Sequence, residues 1–362
     1  MTAIHQFVPT LAPRDAVGGH YLAVRDSLRD AGYTSEIYAQ EAKEEYRRLA
    51  RPFRSFEGSR NGEPTWLMYH SSIGSPVADF VVARREPVIV DYHNITPASF
   101  FARWEPYVAG QLALGRRQLA KLAVRASLGL ADSAYNAGEL RDLEYDRVEI
   151  VPILLDVSQL GGDVDEATRD RLERQRSDGG TDWLFVGRVS PNKAQHDVVK
   201  AFAAYRRFHD DQARLHFVGS ATSHAYETSL RDFVHALGLE RAVEFAGSVD
   251  DAVKHAYFSC ADVYVVCSEH EGFCVPILEA WHHDVPIVAY AAAAVPETLR
   301  DGGLLLPSKD PDIVAAAAAR VASDRALRDH LVAAGRERLA TFSLANSRAA
   351  LLAAVASVAG DP

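Results

Sequence analysis

Two short stretches of this 362-residue chain hold residues of the right type and spacing for anion and sugar chemistry. The first is CSEHEGFCVPILEA, residues 267–280. It reads as an apolar strand end, a glycine-containing loop and a helix opening near Pro276, where proline suits the first turn. Backbone N–H groups of Gly272, Phe273, Cys274 and Val275 would then form a helix N-terminus fit for a phosphate. Glu271 and Glu279 flank that loop. Glu279 either accepts hydrogen bonds from sugar hydroxyls or stabilises the positive end of its helix. The second stretch is FVGRVSPNKAQHDVVKAF, residues 185–202, in which a strand runs into Gly187-Arg188 and Lys193 opens a helix. The two cations either neutralise a diphosphate or are solvated loop charges.

The first half offers weaker signals. Gly18-Gly19-His20 falls between a first strand and a first helix and reads as a close backbone approach or a simple turn. His93 and Asn94, in DYHNITP, follow the strand VIVDY, and a lone histidine there is ordinarily structural. YHSSIGSP, residues 69–76, places His70, Ser72 and neighbouring hydroxyls in another post-strand loop, to bind a polyhydroxy substrate or cap the next helix. Residues 115–126 carry Arg116, Arg117, Lys121 and Arg125, a surface for an anionic membrane or a solvated face. Cys260, Cys267 and Cys274 fall in a helix, a strand and a loop, which argues against a shared metal.

Both halves alternate apolar runs with helical stretches, the pattern of doubly wound parallel sheets. The first half reads as strands at 4–9, 35–38, 66–70, 88–94 and 148–152, with helices at 18–31, 76–83 and 104–130. The second reads as strands at 183–187, 215–219, 243–247, 262–267 and 286–290. These are continuous apolar runs, as expected of strands covered on both faces. Residues 157–182, polar and bracketed in part by glycine pairs, read as a linker with one exposed helix between a domain at 1–156 and one at 183–341.

Taken together, the two stretches resemble the retaining family-4 glycosyltransferases of the GT-B fold (glycosyl transferases group 1). The resemblance continues through FAGSVDD (245–251), VPIVAY (285–290) and AVPETLRDGGLLLP (294–307). It implies two Rossmann-like domains facing across a cleft, with the last helix, 342–362, returning to the first. It implies that Arg188 and Lys193 bind the donor diphosphate and that Glu279 holds ribose hydroxyls. Glu271 and the backbone of 272–275 would lie near sugar and phosphate, Gly18, Gly19, Ser248 and Val249 on the donor side, and His93 at the donor sugar. His93, Glu271, Arg188 and Lys193 are thus the expected catalytic residues; His20, His70, Ser72 and Asn94 are the expected acceptor side. One departure stands at Cys274, where the family pattern has glycine; a negative φ would let cysteine serve. The implied reaction moves a sugar from a UDP- or GDP-linked donor to an unidentified sugar, lipid or small-molecule acceptor, with retention, no cofactor and no metal.

Composition agrees with a folded protein: 48% hydrophobic, 24% charged, net charge −10. That charge argues against a general nucleic-acid binder. No signal-peptide pattern opens the sequence and no unbroken apolar run reaches the length of a membrane span, so the cytoplasm is the expected compartment, with 115–126 as a peripheral membrane contact. A non-catalytic nucleotide-sugar-binding subunit and a nucleotide-sugar epimerase on the same fold are the alternatives. A dinucleotide-dependent oxidoreductase is disfavoured because neither half has Gly-x-Gly-x-x-Gly after a strand.

Overall fold

The computed structural model describes residues 2–12, 16–59, 62–176 and 179–361. It divides into two units: one comprises Met1–Ala102, Pro106–Asp156 and Phe342–Pro362, the other Arg103–Glu105 and Val157–Thr341.

The first unit is built on a parallel sheet of β1 (Ala3–Leu11), β2 (Ile37–Ala42), β3 (Ala50–Pro52), β4 (Thr65–Ser71), β5 (Val88–Tyr92), β6 (Ala126–Ala131) and β7 (Val148–Ile150). Their spatial order is β3-β2-β1-β4-β5-β6-β7. Every residue of β5 is buried, as expected of a strand covered on both faces. Register places His70 opposite Asp91, which puts these two side chains on one face at the carboxyl ends of their strands. The C-terminal helix Leu344–Ala359 packs Leu351 and Val355 against Val24 and Leu28 of helix Ala16–Asp30. Burial of each of these side chains stabilises by about 1.5–3 kcal/mol. Tyr33 Oη donates to the Gly360 carbonyl at 2.6 Å and Arg348 pairs with Asp30 at 3.0 Å, fixing the end of the chain on this unit.

The second unit's sheet contains β8 (Asp182–Val186), β9 (Arg214–Val218), β10 (Val243–Gly247), β11 (Val263–Val266), β12 (Ile287–Tyr290) and β13 (Leu304–Leu306), in the order β10-β9-β8-β11-β12-β13, all parallel. Chain order reverses between β8 and β11. In open α/β sheets the crevice beyond such a reversal is where ligands bind.

Three expectations need correction. The helix read over 104–130 ends at Ala123, and Ala126–Ala131 is β6, whose small residues pack beneath its neighbours; Leu128, Leu130 and Ala131 are fully buried. Residues 157–182 are part of the second unit rather than a linker. Helix Glu166–Arg176 buries Leu172 and ties down through Arg171 to Tyr257 (2.8 Å) and Arg176 to Asp262 (2.5 Å). Gly18 and Gly19 lie inside the first turn of helix Ala16–Asp30, not in a preceding loop. The apolar C-terminal stretch is divided between helices Arg325–Ala340 and Leu344–Ala359, of 16 residues each.

Candidate functional site

The loop after β8 begins at Gly187, whose φ of +145° suits glycine. A Cβ at Gly219, at the end of the neighbouring β9, would strike the Gly187 carbonyl, so two glycine backbones meet where this loop departs. Arg188 follows and is exposed. Its carbonyl accepts from Gln195 Nε2 at 2.9 Å. Pro191–Lys193 make one tight turn, Ala194 takes a left-handed φ of +50°, and helix Gln195–Phe208 starts there. Lys193 therefore stands at the mouth of a strand-to-helix turn.

β11 leads into the loop 267–274, which ends at helix Val275–His282. Pro276 occupies its first turn. Cys274 sits at the N-cap with φ +74°. The expectation of a negative φ there is overturned: the position keeps the left-handed backbone that glycine adopts freely, and cysteine occupies it under strain. The Phe273 carbonyl accepts from Thr298 Oγ1 at 2.7 Å and the Glu271 carbonyl from Ala294 N–H at 3.2 Å, so the loop's carbonyls are tied to the next element.

Asn192 stitches the two loops together. Its carbonyl accepts from Glu269 N–H at 2.9 Å, its Nδ2 donates to the His270 carbonyl at 3.1 Å, and its Oδ1 accepts from Ser190 Oγ at 2.8 Å. Across this seam Lys193 Nζ lies 2.5 Å from Glu271 Oε2, with Glu271 7% exposed. Residues 78 positions apart thus meet at the reversal between β8 and β11. Glu279 is also buried and is held by Lys254 Nζ at 2.7 Å. Burial pulls the Lys254 pKa down, but Glu279 and Asp251 more than reverse this, leaving it above the usual lysine value. Ser248 and Val249 lie in the loop after β10, one turn before the helix Asp251–Cys260 that carries Lys254.

The first-unit residues have a different character. His70 is fully buried and His20 is 1% exposed, so neither presents an open acceptor surface as expected. Burial, against the opposing pull of Asp91, lowers the His70 pKa to about 4. His93 is the neighbour of His70 at 3.0 Å and of Asp132 at 3.2 Å, and its ring has no exposed surface. Asn94, at φ +68°, donates through Nδ2 to Asn136 Oδ1 at 2.7 Å. Ser72 is half-buried in the loop that leads to helix Pro76–Val82, and Ser75 caps that helix, accepting from Val77 N–H. Of the four cations in 115–126, Arg116 bonds the Ile95 carbonyl and Glu139, and Arg125 bonds the Arg84 carbonyl. That leaves Arg117 and Lys121 exposed. The three cysteines are free and buried.

Sequence reasoning missed Lys254, Asn192, Asp91 and Asp132. Asp91 had a readable signal: it lies in the strand VIVDY two residues before His93, the spacing that puts side chains of extended chain on one face. Lys254 had none, since it meets Glu279 only through folding.

Residues 167–338 match the family described as glycosyl transferases group 1. The chain is 29% identical over 257 residues to a D-inositol 3-phosphate glycosyltransferase of Geodermatophilus obscurus, covering 68% of this chain and 56% of that protein. It is 34% identical over 169 residues to a phosphatidyl-myo-inositol mannosyltransferase of Mycobacterium leprae, covering 45% and 43%. The chain spans about half the length of the curated relatives it matches. Among solved structures, Anabaena HepE in complex with UDP-glucose superposes with a TM-score of 0.76 at 16% identity, over 98% of this chain and 100% of that one. Sucrose-phosphate synthase of Thermosynechococcus elongatus gives 0.72 at 18% identity, over 98% and 97%. The fold is GT-B.

Proposed function

Through residues 167–338 the chain belongs to the glycosyl transferases group 1, and from that premise we propose that it transfers a sugar from a nucleoside-diphosphate sugar to an acceptor with retention of configuration. The observation that carries this reading is the Lys193–Glu271 pair at the β8/β11 reversal, with exposed Arg188 at the start of the same loop. Arg188 supplies a planar donor fork to a diphosphate and Lys193 a point charge. Both stabilise negative charge that grows on the leaving diphosphate, together with the N–H groups at the start of helix Val275–His282. The departing phosphate oxygen takes the acceptor's proton as the acceptor oxygen bonds to the anomeric carbon. In this scheme the protein supplies charge and positioning, and no metal bridges the diphosphate.

Glu279 accepts hydrogen bonds from the ribose hydroxyls with its two carboxylate oxygens. HepE was crystallised with UDP and with UDP-glucose, which favours a uridine donor here; the relatives' names favour an acceptor bearing an inositol or another polyol. Titration of UDP and 2′-deoxy-UDP against wild type and Glu279→Gln tests the site. The variant is expected to lose about 10- to 100-fold in UDP affinity and less for the deoxy ligand, because a hydrogen bond to a charged group contributes about 1.5–3 kcal/mol. Equal losses for both ligands would remove the ribose assignment. Consumption of UDP-glucose without any added acceptor, with release of an epimerised sugar, would favour the epimerase alternative.

A further inference from the structure

Three imidazoles and two carboxylates are sealed inside the first unit with their polar atoms turned on one another. The His70 and His93 rings have no exposed surface, and His20, Asp91 and Asp132 are 1%, 2% and 5% exposed. They come from the ends of β4, β5 and β6 and from the helix that follows β1, at the reversal between β1 and β4.

The neighbouring donors and acceptors place the protons. Leu154 N–H donates to His20 Nδ1 at 2.9 Å, so His20 carries its proton on Nε2 and donates it to Asp91 Oδ2 at 2.9 Å. Gln6 Oε1 accepts from His70 Nε2 at 2.8 Å, which leaves a lone pair on His70 Nδ1. His93 Nδ1–H donates to Asp132 Oδ2 at 3.2 Å, which leaves a lone pair on His93 Nε2. These two lone pairs face each other at 3.0 Å, and Asp91 Oδ2 lies 3.2 Å from the first and 3.6 Å from the second. With these tautomers three electron-pair donors lie within 3.6 Å of one another.

We propose that this trio binds one divalent transition-metal ion of the Zn²⁺ class, ligated by His70 Nδ1, His93 Nε2 and Asp91 Oδ2. Zinc bonds of about 2.0–2.1 Å in tetrahedral geometry separate ligand atoms by about 3.3 Å, within the spread of the three distances here. A mixed imidazole and carboxylate set without sulfur suits zinc rather than magnesium or calcium. Each ligand has the outer partner that metal sites use: Asp132 behind His93, Gln6 behind His70 and His20 behind Asp91. The charge also closes, since a dication balances Asp91 and Asp132, whose ion pairs among the described residues run to histidines. His20 Nε2 lies within 4.8 Å of the other three atoms, but its proton, set by Leu154, excludes it as a ligand. The fourth position falls to water.

The test needs no donor or acceptor, and the second unit's nucleotide site does not enter it. The chain is stripped with a chelator, equilibrated with Zn²⁺, desalted and assayed for metal, and the loaded protein is examined by X-ray absorption. One Zn²⁺ per chain is expected, in a nitrogen and oxygen shell with two imidazoles and no sulfur. Affinity should fall at least 100-fold in His70→Ala and about 10- to 100-fold in Asp132→Asn, the usual effect of removing an outer partner. It should be unchanged in the double variant His282→Ala and His283→Ala, which removes the neighbouring rings of a different histidine cluster, 5.3 Å apart. Where His70→Ala fails to fold, the wild-type absorption spectrum decides. A folded wild type that takes up no stoichiometric Zn²⁺ overturns the site, as does a shell with fewer than two imidazoles. Metal lost with His282 and His283 but kept in His70→Ala overturns it equally.

Discussion

Lys254 Nζ lies 2.7 Å from Glu279 Oε1, so the carboxylate assigned to the ribose is already held by a cation that the sequence motif does not contain. Asp251 holds the same ammonium at 2.9 Å from one turn earlier in the helix. The side chains of Glu279 and Lys254 are only 10% and 22% exposed, so the pair is screened less than a surface ion pair. Lys254 thus sets the orientation in which Glu279 meets a ligand.

Lys254→Met should therefore destabilise by about 1–3 kcal/mol, the cost of leaving a buried acceptor unsatisfied. Glu279→Gln should cost less, because the amide still accepts a hydrogen bond. The double variant should be more stable than the sum of the two losses allows, since the charge left behind in Lys254→Met is gone. Urea denaturation of all four proteins measures this, and simple additivity would mean that the two residues do not act as a pair.

Cys274, at φ +74°, isolates backbone strain from packing. Cys274→Ala and Cys274→Gly both remove the thiol, but only glycine adopts the left-handed backbone without a Cβ penalty. The glycine variant should be the more stable of the two by about 1 kcal/mol, even though glycine gives the unfolded chain more freedom. Thermal melts of the pair suffice to check it, and an alanine variant equal to or better than the glycine one contradicts the strain.

Much of the architecture was legible because strands buried on both faces leave continuous apolar runs, as at 183–187 and 262–267. β6 was missed because Ala126–Ala131 is made of small residues that continue a helical composition. The attachment of helix Glu166–Arg176 to the second unit is not legible in sequence, because one buried residue, Leu172, anchors it and the rest of its attachment is made by arginine side chains. Of the site, the motif residues could be read from spacing, and their partners could not. Lys193 and Glu271 are each visible in sequence, but their contact depends on Asn192 joining two loops after non-consecutive strands. The histidines were legible one at a time, and their convergence on Asp91 is a property of the register between β4 and β5.

His216 makes stability depend on pH in a direction that can be worked out. Burial lowers its pKa, but hydrogen bonds to Asp182 (3.2 Å) and Glu244 (2.8 Å) more than reverse this, and the net shift is upward. A histidine raised on folding contributes fully below the unfolded value, near 6.5, and loses that contribution as pH rises through the folded value. Burial pushes Glu244 up, yet His216 and Arg171 pull it down to about 2, so its contribution is present above about 4.5 and lost as pH falls towards 2. On going from pH 6 to pH 8.5 at constant salt the His216 contribution falls, against the opposite contributions of His70 and His283, whose pKa values burial lowers to about 4. His216→Gln should remove that fall, and an unchanged slope of stability with pH in the variant would show that the imidazole is not charged in the fold.

Arg188 and Lys193, assigned to the same diphosphate, should separate in stability while failing alike in turnover. Arg188 is exposed, whereas Lys193 is the ion-pair partner of Glu271, which is 7% exposed. Removing a donor that acts on charge developed in the transition state costs about 2–4 kcal/mol of activation energy, a rate loss of roughly 30- to 1,000-fold in either alanine variant. Arg188→Ala breaks no ion pair among the described residues and should melt with wild type. Lys193→Ala leaves Glu271 buried without its cation and should destabilise by about 1–3 kcal/mol. Adding Glu271→Gln to Lys193→Ala should restore much of that stability, since the stranded charge is removed, and should restore none of the turnover, since the cation is still missing. Turnover that recovers along with the melting temperature would mean that Lys193 serves the fold and that the diphosphate is met by other groups.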